Sequence, residues 1–220
     1  INQEGSVTSI VSANPAAGFS VVKWTGTNAI NTIGHGLNKE PELILIKPLD
    51  IAGDWQVYSE PTGNGNKLAL NQGSAASSTS RFDSTSPTSS VFTFRDIGIT
   101  GDEIAYCFTS IPSYQKIGTY TGSGVSGKSV YTTDDGTSTG ANGFEPSFLI
   151  IKGINFGNGY WFILDNQRTS GTNGKKALWA NESYAESTAY DVRFDATGFT
   201  LLNTDLHLNQ SYNYLYLAIA

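Results

Sequence analysis

An internal repeat constrains this chain more than any single motif does: the sequence echoes itself once, in order, over nearly its whole length. Trp24-Thr25-Gly26-Thr27 returns as Tyr120-Thr121-Gly122-Ser123, and Pro41-Glu42-Leu43-Ile44-Leu45-Ile46-Lys47 returns as Pro146-Ser147-Phe148-Leu149-Ile150-Ile151-Lys152. Trp55-Gln56-Val57-Tyr58 is matched by Trp161-Phe162-Ile163-Leu164, Leu70-Asn71 by Ala180-Asn181, and Arg81-Phe82-Asp83 by Arg193-Phe194-Asp195. Ile104 to Phe108 resembles Leu215 to Ile219. The order is kept while the offset grows, as it does when loops lengthen in a second copy. The first copy covers about residues 17–111 and the second about 114–220, with residues 1–16 read as an N-terminal arm.

Within each copy, short apolar runs alternate with turn text rich in Gly, Asn, Ser and Thr. Strands are expected at 19–25, 42–47, 54–59, 67–71, 91–95 and 103–110, and again at 115–121, 147–152, 160–165, 176–180, 198–202 and 213–219. Only 180–190 has any helical flavour. Leu43-Ile44-Leu45-Ile46 and Phe148-Leu149-Ile150-Ile151 are apolar at every position, so both are read as central strands covered on two faces. The connection Ile111-Pro112-Ser113-Tyr114 is too short and apolar for a flexible tether. The fold class is therefore all-β: an antiparallel β-sandwich of about a dozen strands with an internal pseudo-twofold repeat, built over residues 17–220. Two abutting small sandwiches are the alternative.

Composition narrows the function classes. The 220 residues carry a net charge of −6, and the 13 Lys and Arg are scattered singly apart from Lys175-Lys176. A nucleic-acid binder needs a basic stripe or patch, so nucleic acid is excluded as the main partner. No apolar stretch approaches the ~20 residues of a membrane helix. Cys107 is the sole cysteine and lies in the apolar run Glu103-Ile104-Ala105-Tyr106-Cys107-Phe108, which reads as a buried hydrophobe and allows no internal disulfide. There is no Met, even at position 1, and the chain is read as processed or cut from a longer polypeptide.

The search for chemistry gives binding candidates and no catalytic set. His35, between Gly34 and Gly36, is read as a turn histidine bonding a nearby carbonyl, and His207 as facing solvent or a sheet edge. No Gly-x-Ser-x-Gly elbow is present, and no pair of acids stands out at the spacing a glycosidase needs. Gly122 to Gly127 fits Gly-x-Gly-x-x-Gly by letter but precedes no helix. Asp134 and Asp135 are the metal candidates, since calcium takes oxygen ligands, though the preferred reading is a plain turn without a metal or other cofactor. Trp24, Tyr120, Trp55 and Trp161 are repeat mates and read as core. Trp179 with Asn181, and Tyr160 with Asn158, are the candidates for holding a sugar, an aromatic plane meeting its C–H groups and an amide its hydroxyls.

One set of motifs carries a resemblance. It runs Gly18-Phe19-Ser20-Val21-Val22, Trp24-Thr25-Gly26-Thr27, Gly34-His35-Gly36-Leu37, Pro41 to Lys47, Asp54-Trp55-Gln56-Val57-Tyr58 and Ser86-Pro87-Thr88-Ser89-Ser90-Val91-Phe92. It continues with Ala105-Tyr106-Cys107-Phe108, Lys116-Ile117-Gly118-Thr119-Tyr120-Thr121-Gly122 and Gly143-Phe144-Glu145-Pro146-Ser147-Phe148. Over about residues 17–220 the chain resembles an uncharacterised repeat domain of tailed-phage virion proteins, especially those of marine and cyanobacterial phages. The resemblance implies a virion structural module, a capsid, tail or fibre component, and supplies no catalytic residues. The expected partners are other virion proteins, further copies of the chain and a host-surface glycan, without membrane insertion. The expected location is the virion, assembled in the host cytoplasm and then exposed outside. A carbohydrate-binding module and a β-sandwich polysaccharide hydrolase are the rival readings.

Overall fold

The computed structural model describes residues 1–170 and 174–220, and they form strands and turns with only two single-turn 3-10 segments, at Pro15–Ala17 and Glu60–Thr62. Contacts cluster the chain into two units, residues 1–71 with 76–109 and residues 72–75 with 110–220. Every sheet lies wholly within one unit.

The first unit contains β1 (Ile10–Asn14), β2 (Phe19–Thr25), β3 (Ile30–Gly34), β4 (Leu43–Pro48), β5 (Gln56–Ser59), β6 (Asn66–Ala69), β7 (Ser77–Ser78), β8 (Val91–Arg95) and β9 (Asp102–Phe108). Seven of them form one antiparallel sheet in the order β1-β2-β9-β4-β5-β6-β7, and β3 pairs with β8 to give the second layer. The layers enclose a core of Val22, Trp24, Ile33, Ile44, Ile46, Tyr58, Phe82, Phe92, Phe94, Ala105 and Cys107. Residues 1–16, expected as an arm, are part of this unit. Ile10 to Asn14 pair along β2 as an edge strand, and Val7 bridges to Ile33. Their irregular apolar pattern fits an edge strand, whose residues are mostly exposed here.

The second unit contains β10 (Gln115–Thr121), β11 (Lys128–Tyr131), β12 (Phe148–Gly153), β13 (Trp161–Asp165), β14 (Thr169–Ser170), β15 (Gly174–Lys175), β16 (Leu178–Trp179), β17 (Val192–Asp195), β18 (Gly198–Leu201) and β19 (Asn213–Ile219). One sheet runs β10-β19-β12-β13-β16, and β11-β18-β17 forms the facing layer. Between them lie Leu149, Ile151, Phe162, Leu164, Val192, Phe199, Leu201, Tyr214 and Tyr216. Gly118 faces Tyr216 across β10 and β19, and a Cβ at Gly118 would lie 2.6 Å from the Tyr216 hydroxyl. That hydroxyl donates to the Tyr131 carbonyl at 3.0 Å, so a bare backbone at Gly118 lets the ring lie over β10 and tie the two layers.

The order β2-β9-β4-β5-β6 in the first unit is the order β10-β19-β12-β13-β16 in the second, and the pair β3-β8 corresponds to β11-β18. The wholly apolar strands are central in their sheets. On β4, Ile44 and Ile46 face the core while Leu45 is half-buried, and on β12, Leu149 and Ile151 face the core while Ile150 is half-buried. Their second faces are thus covered only in part. Residues 180–190 contain no helix; the stretch is irregular, with Ser187 bridging to Ala177.

Candidate functional site

The sugar candidates gather in the second unit at one end of β13. Tyr160 precedes that strand, and Trp179 enters beside it because β16 pairs Trp179 with Phe162. The irregular segment after β16 adds Tyr184, 55 % exposed, whose ring stands edge-on to both Trp179 (5.6 Å, 85°) and Tyr160 (6.1 Å, 89°). Tyr190 meets Trp179 at 5.7 Å in the same fashion. His207 lies against Tyr160 at 4.5 Å and 33°, then Phe156 at 6.3 Å, and Phe156 in turn packs on the exposed Tyr212 at 4.6 Å. The result is a continuous band of rings from Tyr212 to Tyr184. T-shaped and tilted contacts at these distances favour both partners and hold each ring in place. His207, expected at solvent or a sheet edge, is half-buried within this band.

The two amides divide differently. Asn158 is exposed on a turn with φ 61°, a left-handed backbone that Asn tolerates. Asn181 is committed to the fold: its Oδ1 accepts from the Trp161 backbone N–H at 2.8 Å, while its Nδ2 donates to Glu182 at 3.2 Å. The first unit repeats the arrangement, with Asn71 Oδ1 accepting from the Trp55 N–H at 3.0 Å. Of the two tryptophans expected in the core, Trp161 is buried, whereas Trp55 is half-buried against Tyr106 at 6.0 Å.

Asp134 and Asp135 serve a turn. Asp135 Oδ1 accepts from the Thr137 N–H and hydroxyl, both at 2.9 Å, and these bonds hold its carboxyl below the usual range. Asp134 Oδ2 accepts from Asn142 Nδ2 at 2.7 Å. Among the described residues no group of three or more His, Cys, Asp and Glu is placed to hold a metal ion.

His35 is wholly buried. Its Nδ1 accepts from the Leu37 N–H at 3.2 Å and its Nε2 faces the Thr88 carbonyl at 3.1 Å, which together fix the neutral tautomer carrying its proton on Nε2. Burial lowers its pKa in keeping with that assignment. Cys107 is also wholly buried, and desolvation pushes its thiol up to about 12, so it is not a nucleophile at neutral pH.

The sequence search missed a pair of acids in the first unit. Asp96, just after β8, and Glu103, on β9, are both fully buried and interact, and Glu103 lines a cavity of about 330 Å³ together with Gln56, Lys67, Arg81, Phe94 and Ile99. Burial and the neighbouring Asp96 push the Glu103 carboxyl up to about 8. The two acids stand seven positions apart across a turn, so no strand periodicity marks them. The available signal was Glu103 itself, an acid opening the otherwise apolar run that ends at Phe108.

Across residues 1–220 the chain matches the family described as Domain of unknown function (DUF7483), and it belongs to that family. No curated protein and no solved structure matches it.

Proposed function

Taking membership of that family as the premise, we propose that this chain is a non-enzymatic structural module of a virus particle whose second unit contacts a glycan through its aromatic band. The virion assignment rests on the resemblance of the motifs from Gly18 to Phe148. The glycan reading rests on one observation: Tyr160, Trp179 and Tyr184 form a mutually braced cluster whose outer ring, Tyr184, is 55 % exposed. Rigid, partly exposed rings beside polar groups are what a sugar's C–H face and hydroxyls require. Glu182 supplies a polar group beside Tyr160, Asn181 Oδ1 being occupied by the backbone.

The hydrolase reading fits less well. Glycosidase carboxyls flank the scissile bond about 5–10 Å apart, with substrate between them. Asp96 and Glu103 instead lie in mutual contact, which favours a shared proton over a flanked substrate.

We further infer that the two units arose by duplication of one sandwich. The identical strand order and the paired Trp–Asn contacts, Trp55 with Asn71 and Trp161 with Asn181, support this.

A glycan array with the full chain tests the binding reading. Binding that disappears in Trp179→Ala and Tyr184→Ala supports it, and an array without hits at millimolar sensitivity removes it. Locating the chain by labelled-antibody imaging of intact particles tests the virion assignment.

A further inference from the structure

The first unit buries an acid that its architecture does not require. Glu103 stands opposite Trp24 in the pairing of β2 with β9. In the second unit, the pairing of β10 with β19 places Tyr120 opposite Tyr214 at the corresponding level. Those two rings stack at 4.9 Å, and their hydroxyls donate to the carbonyls of Leu208 (2.8 Å) and Leu206 (2.7 Å). The same sheet order is thus built with every polar atom of that pair satisfied and with no acid present. A buried carboxyl without adequate partners destabilises a fold by several kcal/mol in the ionised form.

Neither Glu103 oxygen has a hydrogen-bond donor among the described residues, and Asp96 Oδ1 has none either. Asp96 Oδ2 is served by Asn31 Nδ2 and by the Thr27 N–H at 3.3 Å. A proton held between the two acids satisfies at most one oxygen of each, so a Glu103 oxygen is left unpaired beside the cavity. Gln56 Oε1, from another strand lining that cavity, is likewise buried without a donor. The lining also carries donors: Lys67, and Arg81, whose Nη1 is anchored on the carbonyls of Arg95 (2.9 Å) and Ile97 (3.3 Å). Phe94 and Ile99 supply apolar wall.

This arrangement discriminates between ligand classes. A metal ion or an ammonium group is repelled by Lys67 and Arg81, while Asp54, which also lines the cavity, and Asp96 beside the protonated Glu103 offset those cations against a simple anion. A hydroxyl both donates and accepts, so a ligand bearing several can meet the acceptors and the donors of this lining while its C–H groups lie against Phe94. About 330 Å³ falls at the lower end of the range for small-molecule sites. We propose that the first unit binds a neutral monosaccharide or a polyol of similar size in this cavity, with Glu103 and Gln56 accepting from its hydroxyls and Arg81 and Lys67 donating to its oxygens. This site lies entirely within the first unit and does not depend on the aromatic band of the second.

Saturation-transfer NMR on the full chain carrying Trp179→Ala, which disables the band, tests the proposal with glucose, galactose, mannose and glycerol as probes. At least one probe should receive saturation, and its Kd should rise by about tenfold or more when Glu103→Leu or Gln56→Leu is added, the effect of losing one or two hydrogen bonds. Glu103→Leu removes a buried, unsatisfied acid and is expected to fold, and Gln56→Leu provides a second reading at a half-buried position. The proposal is overturned if no probe receives saturation, if neither substitution weakens binding, or if acetate occupies the cavity in preference to every probe.

Discussion

Trp24 and Glu103 face one another across β2 and β9, one of the chain's largest apolar side chains beside a fully buried acid. The acid is tolerated because Asp96 lies against it and burial keeps its proton on. The charged groups that act on it are Asp96, which disfavours its ionisation, and Arg81, which favours it weakly, while Asp54 and Lys67 line the same cavity.

Stability of the first unit should therefore fall as pH rises. Glu103 has an ordinary value of 4.5 and is pushed up to about 8, so between these the folded chain holds a proton that the unfolded chain releases. The contribution is fully present below about 4.5 and is lost as pH passes about 8, an effect on the order of a few kcal/mol. Neutral His35 has the opposite trend below its ordinary 6.5, because there the unfolded state takes up the proton. Comparison with Glu103→Gln isolates the acid. Thermal melts from pH 5 to pH 8.5 should show the wild type losing several degrees relative to the variant; parallel curves would mean that Glu103 is ionised throughout.

The paired amides give a prediction that separates fold from ligand. Asn71→Ala and Asn181→Ala each strip the acceptor from a tryptophan N–H, at 3.0 Å and 2.8 Å respectively, and each should cost about 1–2 kcal/mol of stability. Glycan affinity should be unchanged in Asn181→Ala and abolished in Trp179→Ala. Denaturant titration and binding isotherms on the same preparations check both; a binding loss in Asn181→Ala without a stability loss would return that amide to the site.

The twelve strands readable from the sequence all have counterparts in the structure, because each is an apolar run with turn residues at both ends. The sheet face of each unit was legible for that reason. The facing layers were legible only in β8 and β18: β3 reads Ile-Asn-Thr-Ile-Gly, β11 Lys-Ser-Val-Tyr and β17 Val-Arg-Phe-Asp, and such short strands, with apolar residues thinly spread, resemble the loops around them. Edge strand β1 was lost in the same way. Tyr160 and Trp179 were singled out by residue type alone, and the fold sets their rings edge to face at 6.4 Å. The bond from the Trp161 backbone N–H to Asn181 was not legible, because it is a tertiary fact. Glu103 was passed over because only the fold shows that it points inward toward Asp96.

Cys107 should behave as inert. Its side chain is wholly buried and its thiol is pushed up to about 12 by desolvation. A disulfide-exchange reagent at pH 8 should leave the native chain unmodified over hours and titrate one thiol per chain in denaturant. Rapid labelling of the native state would place this residue at a surface.

Lys152 offers the converse of Glu103 in the second unit. It is fully buried on β12, its ammonium donates to the Gly159 carbonyl and lies 5.9 Å from the Trp161 ring centre, and it forms no ion pair with an acid of the described residues. Desolvation pulls its pKa from 10.5 down to about 8. From about 8 to 10.5 the unfolded chain keeps a proton that the folded chain has shed, so stability rises with pH across that window, opposite to the trend for Glu103 below it. Lys152→Met keeps length and volume but cannot titrate. The wild type should gain on this variant by up to a few kcal/mol between pH 8 and pH 10. Above that range the tyrosines intervene, since burial pushes Tyr58 and Tyr214 up to about 12 and the unfolded chain loses its phenolic protons first. Chemical denaturation at pH 7, 8, 9 and 10 measures the difference, and a wild-type curve parallel to that of Lys152→Met would show the ammonium to be solvated and charged.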